Sequence, residues 1–429
     1  MTARDTALKI LYEIDKNGAY TGAEIKKRFS NCDISQSDKS LATELVYGVV
    51  KNRTRLDYIV SKYSTQKIKK ISVWIINILR MGIYQILFLD KIPVSAAVDE
   101  SVKLAKRYGH QASAGFVNGV LRNVGRNGDV EYPDGKEYYE VFYSHPKWLV
   151  DMLFDQYGDD AEKIIKGNCE ILKTTVRVNV LKTSTENVAE SLNAKGIKTE
   201  FTEEKNILKI SGYGSISSLD EYKNGLITPQ GLSSYKAAKT LDVKENDVVI
   251  DMCSAPGGKA TAMAEMCGDK SMIYAFDIYS HKIDIINKNC KRLGIKNIYT
   301  QLADSSEYME EFKNKADKVI ADVPCSGIGI IRKKPDIKWN KDTNSFDEII
   351  KVQRKILETA HKYLKQGGIL VYSTCTLNKD ENEKNTLEFA DTYGYKVQIS
   401  KTIFPSGDYD GFYICKMIKE QYLDGKKAD

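Results

Sequence analysis

Histidine and closely spaced cysteines are both scarce in this sequence. Its 429 residues include only four histidines, which lie far apart and supply no pair of metal ligands. No two cysteines form a C-x-x-C pair, so neither a zinc site nor a disulfide framework is indicated. We therefore expect a reduced chain that binds no metal. The eight cysteines are Cys32, Cys169, Cys253, Cys267, Cys290, Cys325, Cys375 and Cys415.

Long apolar runs are also missing. No run approaches the ~20 residues that a membrane-spanning helix needs. The N-terminal residues, MTARDTALKI, include an acid early and contain no apolar signal core. Hydrophobic residues make up 42% and charged residues 28%, which is typical of a soluble globular protein long enough for two or three domains. We expect a cytoplasmic protein with no membrane partner.

The positive charge is unevenly distributed. Residues 1–127 contain 21 Lys and Arg against 11 Asp and Glu, a balance of +10, so the other residues carry −4 of the net +6. A basic segment favours a polyanionic partner such as nucleic acid. Charge alone is equally compatible with a solvated helical face that is rich in lysine.

Periodicity divides the chain into three predicted parts. An all-α domain (1–130) is followed, after turn-rich residues, by a small α+β domain (145–232) and an α/β domain (233–429). Apolar residues recur at helical spacing in the first part, in ALKILYEI, DKSLATELVYGVVK, RTRLDYIVSKY, SVWIINILRMGIYQILFL and VSAAVDESVKLAKRYG.

Strands alternate with helices in the third part. The predicted strands are DVVIDMC, MIYAFDI, NIYTQLAD, DKVIADV and GILVYST. This alternation predicts a doubly wound, mostly parallel sheet of the Rossmann type, in which ligands bind beyond the carboxyl ends of the strands. Polar or reactive residues recur at those ends: Asp251, Asp277, Asp304, Asp322 and Cys375.

The first of these strands leads into a glycine pair that opens a helix, in VVIDMCSAPGGKA. The spacing matches neither G-x-x-x-x-G-K-[ST] nor G-x-G-x-x-G, and alone it favours a tight turn. Asp277 is placed to accept hydrogen bonds from ribose hydroxyls, and Asp304 to contact an adenine amino group. Either acid alone is typical of a helix cap. Together they favour a nucleoside cofactor, which leaves NAD and S-adenosylmethionine open.

The fourth strand ends in a rigid turn, DVPCSG, because Pro324 restricts the backbone before Cys325. The basic group Arg332–Lys334 and Trp339 follow. They are candidates for contacting a nucleic-acid backbone and stacking on a base. The alternative is a solvated loop with one buried aromatic ring.

A thiol beside a cofactor site is what methylation of a pyrimidine carbon requires. C5 of cytosine is a weak nucleophile until a thiolate adds to C6, and this is covalent catalysis by an activated nucleophile. Cys325 and Cys375 end two strands that are candidates for neighbours. Free cysteines are more often small buried hydrophobes. We expect that role for Cys32, Cys169, Cys267, Cys290 and Cys415.

Three long motifs make the chain resemble the RNA cytosine-5 methyltransferases of the Sun/Fmu (NOL1/NOP2/Sun) family. They are DMCSAPGGKA, ADVPCSGIGIIRKKPDIKW and YSTCTLNKDENE, and DGFY at 410–413 supports them. The N-terminal helices resemble the NusB-like RNA-binding domain of the bacterial 16S rRNA member. RVNVLK and LITPQG resemble the segment before its catalytic domain. Ser254 and Val323 depart from the family pattern, which usually has Ala at both positions.

The resemblance implies S-adenosylmethionine-dependent methylation of a 16S rRNA cytosine, cytosine 967. Cys375 would be the nucleophile, Cys325 would assist release, and Asp322 would contact the cytosine ring near N3. The resemblance also implies that the partner is 16S rRNA, either free or in a partly assembled small subunit. We expect the protein to be a monomer. The same chemistry on tRNA and a non-catalytic RNA-binding assembly factor stay as alternatives. The expected cofactor contacts are Cys253, Ser254, Ala255, Pro256, Gly257, Gly258, Lys259, Asp277, Asp304 and Asp322.

Overall fold

A computed structural model divides the chain into two compact units. The first unit comprises Met1–Cys169 with Lys333–Lys341, and the second comprises Glu170–Arg332 with Asp342–Asp429. Within the described residues, no helix combines the length and apolarity that crossing a bilayer requires. The predicted division at 1–130, 145–232 and 233–429 stays a prediction. The structure describes residues 2–31, 34–340, 344–420, 422–423 and 426–427.

The first unit is all-α, as predicted. Its core surrounds α5, whose sequence VWIINILRMGIYQILF is apolar on nearly every face and is therefore buried on all sides. Ser72 caps the start of α5 by accepting a hydrogen bond from the Ile75 N–H. The helices are α1 (Ala3–Asn17), α2 (Thr21–Ser30), α3 (Gln36–Lys51), α4 (Arg53–Tyr63), α5 (Val73–Phe88), α6 (Val94–Tyr108), α7 (Gln111–Asn127), α8 (Lys136–Val141), α9 (Lys147–Tyr157), α10 (Asp160–Gly167) and, from the later segment, α16 (Ile337–Asn340).

The second unit begins with a small α+β region, also as predicted. Its four strands pair antiparallel in the order β2-β3-β1-β4. Helix α11 packs on the sheet through Val188, Ala189 and Leu192. The elements are β1 (Thr174–Val178), α11 (Thr185–Ala194), β2 (Lys198–Phe201), β3 (Ile207–Ser211), α12 (Asp220–Lys223) and β4 (Ile227–Pro229).

A second sheet follows, with the strand order β10-β11-β9-β8-β5-β6-β7. Strands β5 to β9 are parallel, and they are the five strands that the sequence predicted. Strand β11 pairs antiparallel with β9 on one side and with β10 on the other, and the sequence revealed neither β10 nor β11. The elements are α13 (Leu232–Thr240), β5 (Val248–Asp251), α14 (Gly258–Met266), β6 (Met272–Asp277), α15 (Ser280–Leu293), β7 (Ile298–Leu302), β8 (Ala316–Asp322), α17 (Asn344–Tyr363), β9 (Leu364–Thr374), α18 (Glu383–Tyr393), β10 (Tyr395–Ile403), β11 (Phe412–Lys419), β12 (Tyr422–Leu423) and β13 (Lys426–Lys427).

Candidate active site

Two cysteines meet at the carboxyl edge of the parallel sheet. Strands β8 and β9 are parallel neighbours, and their register sets Asp322 beside Ser373. The loops that leave these strands therefore begin at the same edge. They bring Sγ of Cys325 to 3.3 Å from Sγ of Cys375. Both residues are half-buried.

Cys325 is held as the neutral thiol. The neighbouring Cys375 thiol, together with burial, raises the pKa of Cys325 well above its usual value. The two sulfurs share one hydrogen-bond contact, which joins the loop after β8 to the loop after β9.

Four of the five cysteines expected to be small buried hydrophobes lie elsewhere. Cys267, Cys290 and Cys415 are buried, and burial raises the pKa of both Cys290 and Cys415 to about 11. Cys169 is half-buried in the first unit, where its thiol lies 3.7 Å from the Tyr143 carbonyl oxygen. Cys32 lies outside the described residues. None of the described members of this group faces the paired thiols at hydrogen-bond distance.

Asp322 lies beside the thiols and is held from two sides. Lys259 Nζ donates to its Oδ2 at 2.5 Å, and the Ser373 hydroxyl donates to its Oδ1 at 2.7 Å. The Lys259 side chain is largely buried and also lies over the Phe412 ring, with Nζ 5.6 Å from the centroid. The sheet edge therefore presents an oriented carboxylate beside two sulfurs.

The loop between β5 and α14 forms the neighbouring wall. Gly257 adopts a left-handed φ of 92°, which a side chain would strain. A Cβ on Gly258 would meet only Nε2 of Gln230, 3.8 Å away, so the outer side of this turn is open. No side chain caps the start of α14. Its first N–H groups are therefore available to an anionic ligand group.

Asp251, at the end of β5, is fully buried, and neither of its oxygens has a hydrogen-bond partner. Burial raises its pKa to about 7, against the opposing effect of nearby Lys259. The nearby Ser254 hydroxyl also favours the charged form of Asp251, but its distance and angles to the Asp251 oxygens are not those of a hydrogen bond. A buried polar group without a partner is unusual and is explained by a ligand that supplies one.

The other two strand-end acids lie where the sequence predicted. Asp277 ends β6, is nearly buried, and accepts the Tyr279 N–H through Oδ1 at 3.1 Å, with Lys282 at 3.6 Å. Asp304 follows β7 and is exposed. Its Oδ1 accepts from the backbone N–H and the hydroxyl of Ser306 at 2.9 and 2.7 Å. Each acid keeps a local turn in place at the sheet edge.

Sequence reasoning missed the residue that anchors the glycine turn. Arg177 of β1 is fully buried and donates to the Gly258 carbonyl oxygen at 2.8 Å. Its guanidinium also makes a two-point contact with Glu265, at 2.8 and 2.9 Å. Gln230 donates to the same carbonyl at 3.1 Å. Arg177 and Gln230 belong to RVNVLK and LITPQG, the two segments that resemble the family's segment before the catalytic domain. The sequence alone did not indicate what their side chains do.

The basic group after Cys325 is not an open binding surface. The Arg332 side chain is only 1% exposed and donates to the carbonyl oxygens of Gly407 and Tyr409. Trp339 packs against the helical core of the first unit, where its indole N–H donates to the Val50 carbonyl oxygen at 2.8 Å. These contacts fit the alternative of a buried aromatic ring. Lys333 and Lys334 are exposed.

Three family models match successive parts of the chain. The NusB family matches residues 1–126, and a ferredoxin-like domain of RsmF/B-like methyltransferases matches residues 145–212. The model for 16S rRNA methyltransferase RsmB/F matches residues 238–418. These matches confirm the predicted NusB-like, α+β and methyltransferase regions.

Individual proteins match over most of the chain. The probable ribosomal RNA small subunit methyltransferase B of Bacillus subtilis (strain 168) is 36% identical over 391 residues, or 89% of this chain and 87% of that protein. The crystal structure of PH0851 has a TM-score of 0.79 at 24% identity, covers 96% of this chain and 98% of that one, and shows a shared fold. A methyltransferase homolog from Pyrococcus horikoshii has a TM-score of 0.59 at 28% identity, covering 66% and 97%.

Proposed function

The chain belongs to the 16S rRNA methyltransferase RsmB/F family, and from this premise we propose that it methylates C5 of one cytosine in 16S rRNA, by resemblance cytosine 967. The observation that supports carbon as the acceptor is the 3.3 Å contact between Cys325 and Cys375. A ring carbon of a pyrimidine needs a thiol to activate it, whereas a nitrogen or a hydroxyl does not.

The cofactor is S-adenosylmethionine rather than NAD, and the residues at the sheet edge fit it. We assign its carboxylate to the open start of α14 and its ribose hydroxyls to Asp277, whose Oδ1 accepts the Tyr279 N–H at the end of β6. Asp304 lies one strand further along, on the adenine side. The unpartnered Asp251 carboxylate suits a cationic ligand group. When bound, S-adenosylmethionine supplies an electrophilic methyl group attached to a sulfonium.

The chain's own residues would activate the base. Cys375, relieved of its proton, adds to C6 of cytosine and forms a carbon–sulfur bond, which makes C5 electron-rich. Asp322, held by Lys259 and Ser373, passes a proton from the Lys259 ammonium to N3 as the thiolate adds, which neutralises the negative charge that develops there, and takes it back when the thiol leaves. After C5 gains its methyl group, it loses its proton to a base and the C6–S bond breaks. Cys325 assists this release.

Two alanine variants test the assignment of the thiols. Cys375→Ala should form no covalent adduct with RNA that carries 5-fluorocytosine, because the attacking sulfur is gone. Cys325→Ala should accumulate a covalent complex with ordinary RNA, because attack continues while release fails. Denaturing gels resolve both species.

Cys290→Ala is the matched control, because Cys290 is buried on α15 and not in the loops that carry Cys325 and Cys375. It should form the fluorocytosine adduct and turn over ordinary RNA as the wild type does. An adduct in Cys375→Ala and none in Cys325→Ala would transfer the attack to Cys325. Absence of any adduct in the wild type would reject covalent catalysis, and an adduct in both variants would assign the attack to another residue.

The RNA target is a separate part of the proposal. We expect a monomer to act on 16S rRNA, free or in a partly assembled subunit, with the NusB-like helices contributing RNA affinity. Target bases of such enzymes must be unpaired or flipped out to reach a thiol. Bisulfite sequencing of rRNA and tRNA from a strain without the gene tests this. If a methylated cytosine disappears from tRNA instead of rRNA, the substrate is tRNA. If no methylated cytosine disappears, the result favours a non-catalytic assembly factor.

A further inference from the structure

A buried carboxylate links the two cysteine loops. Glu381, in the segment NKDENE after β9, is fully buried. One of its oxygens accepts the Ser326 backbone N–H at 2.9 Å and the Gln353 amide at 3.0 Å. The other accepts the Ser326 hydroxyl at 2.5 Å and the Asn378 amide at 3.2 Å. Within the described part of the chain, all four donors are uncharged.

These contacts reach both thiols through adjacent residues. Ser326 follows Cys325 in the chain, and its hydroxyl lies 2.6 Å from that of Thr376, which follows Cys375. Gln353 also donates to the carbonyl oxygen of Pro324, on the other side of Cys325, at 2.9 Å. The carboxylate therefore holds Ser326 directly and Pro324 through Gln353, and the Ser326 hydroxyl joins the Cys325 loop to the Cys375 loop.

The charge at Glu381 also acts on the thiols. Apart from Cys375 itself and burial, the negative charges of Glu381 and Asp322 raise the pKa of Cys325. The Tyr372 phenol also lies close to Cys325, and burial keeps the pKa of that phenol well above its usual value. Lys259 is paired with Asp322. Around Cys325, the charged groups that face it therefore favour the neutral thiol.

We propose that Glu381 is a positioning residue for the methyl transfer: it holds the two cysteine loops in contact and keeps Cys375, not Cys325, the thiol that reacts first. The inference rests on the proposed function, because it presumes that one thiol attacks and the other assists. Glu381 touches neither sulfur in the described contacts and acts through Ser326, Thr376 and its charge.

Thiol alkylation measures this order without any methyl transfer. Full-length protein is treated with iodoacetamide across a pH series, and modification at Cys325 and Cys375 is quantified by peptide mass spectrometry. In the wild type, Cys375 should react at least about tenfold faster than Cys325 near neutral pH. In Glu381→Gln, which keeps the shape and removes the charge, this ratio should fall at least about fivefold.

Glu383→Gln is the matched control. Glu383 lies two residues further on and accepts from the Thr402 hydroxyl at 2.6 Å, away from both cysteine loops. In Glu383→Gln, the ratio of the Cys375 to the Cys325 alkylation rate should stay within about twofold of the wild-type ratio. A wild-type ratio in Glu381→Gln would overturn the inference and leave the proposed function standing. A wild type that alkylates Cys325 first would count against the thiol assignment itself.

Glu381→Asp separates the effect of the charge from the effect of the side-chain length. It is also the variant to use if Glu381→Gln cannot be purified in a folded form. The shorter side chain keeps the charge but lengthens the bonds to Ser326. It should lower kcat at least about fivefold while KM for S-adenosylmethionine stays within about twofold. A wild-type kcat in this variant would contradict the positioning role, and a raised KM alone would indicate a general structural role.

Discussion

Each unit of this protein contains a buried polar cluster, and the two clusters are opposite in charge. The basic cluster of the first unit is formed by Lys51, His145 and Lys338. The thiol cluster of the second unit is formed by Asp322, Cys325, Cys375 and Glu381. Both contain groups whose pKa is far from its usual value, which is often taken to indicate a functional site. They differ in what the perturbed groups face.

The basic cluster is closed. Lys338 is 1% exposed and donates to the carbonyl oxygens of Lys51 and Ser144 at 2.9 and 2.5 Å. Burial lowers its pKa to about 7. His145 is fully buried, donates through Nδ1 to the Tyr143 carbonyl oxygen at 2.8 Å, and has its pKa held well below 6.5 by burial. These side chains satisfy backbone carbonyls and stabilise the α16 segment.

The thiol cluster contains reactive groups. Its carboxylates accept hydrogen bonds from neighbouring donors, and its two cysteines, in contact at 3.3 Å, are half-buried residues. A perturbed pKa therefore indicates a candidate site only where it accompanies a group that can react. In the basic cluster the same perturbation is a consequence of packing. Four changes test this comparison.

The largest effect is expected for Asp322→Asn. The amide keeps the shape but cannot pass a proton to N3 as the thiolate adds, so kcat should fall about 100- to 1,000-fold. The affinity for S-adenosylmethionine, measured by calorimetry, should change less than about threefold. Asp317→Asn, at the opposite end of β8, is the control and should keep its turnover. A kcat within about fivefold of the wild type would remove Asp322 from the reaction.

Lys338→Met should affect stability and leave the thiols unchanged. It removes the donor from two buried carbonyls, so the free energy of unfolding should fall by about 2 kcal/mol at about pH 9. The loss should be smaller at about pH 6, because the folded pKa of about 7 lies below the unfolded 10.5 and wild-type stability rises with pH between them. Chemical denaturation measures this. Exposed Lys106→Met is the control, and altered alkylation of Cys375 would contradict the separation of the clusters.

Asp277→Ala should weaken S-adenosylmethionine binding about tenfold, since hydrogen bonds from two hydroxyls to one carboxylate are lost. Calorimetry on the full chain provides the dissociation constant. Asp284→Ala, an exposed acid on α15, should bind normally. Unchanged affinity in Asp277→Ala would reject its ribose contact.

The smallest effect concerns pH. Because the His145 pKa is depressed in the folded state, the unfolded chain takes up a proton that the folded chain does not below about pH 6.5. Stability should therefore decline toward pH 5 by at most about 1.4 kcal/mol per pH unit from this group. His145→Gln should flatten that decline, while exposed His281→Gln should not. An identical decline in His145→Gln would show that other groups cause it.

Much of the candidate site could be predicted from the sequence because the chemistry lies at strand ends. Alternating strands and helices predicted the parallel sheet, and Asp277, Asp322 and the two cysteine loops follow those strands directly. The edge strands β10 and β11 were missed, since β10 is largely exposed and its residues, YKVQISKTI, form no continuous apolar run. Trp339 was a candidate for base stacking with a buried ring as the alternative, and the choice needed the structure because the core that it packs against is formed by distant helices.

The sequence by itself determined which elements form and which residues end the parallel strands, because periodicity and turn chemistry are local properties. Only the tertiary structure decided that Arg177 and Gln230 anchor the glycine turn, that Lys338 is buried in the first unit, and that Glu381 joins the two cysteine loops. Each of these depends on residues far apart in the chain meeting in a low-dielectric interior, where every polar group must find a partner.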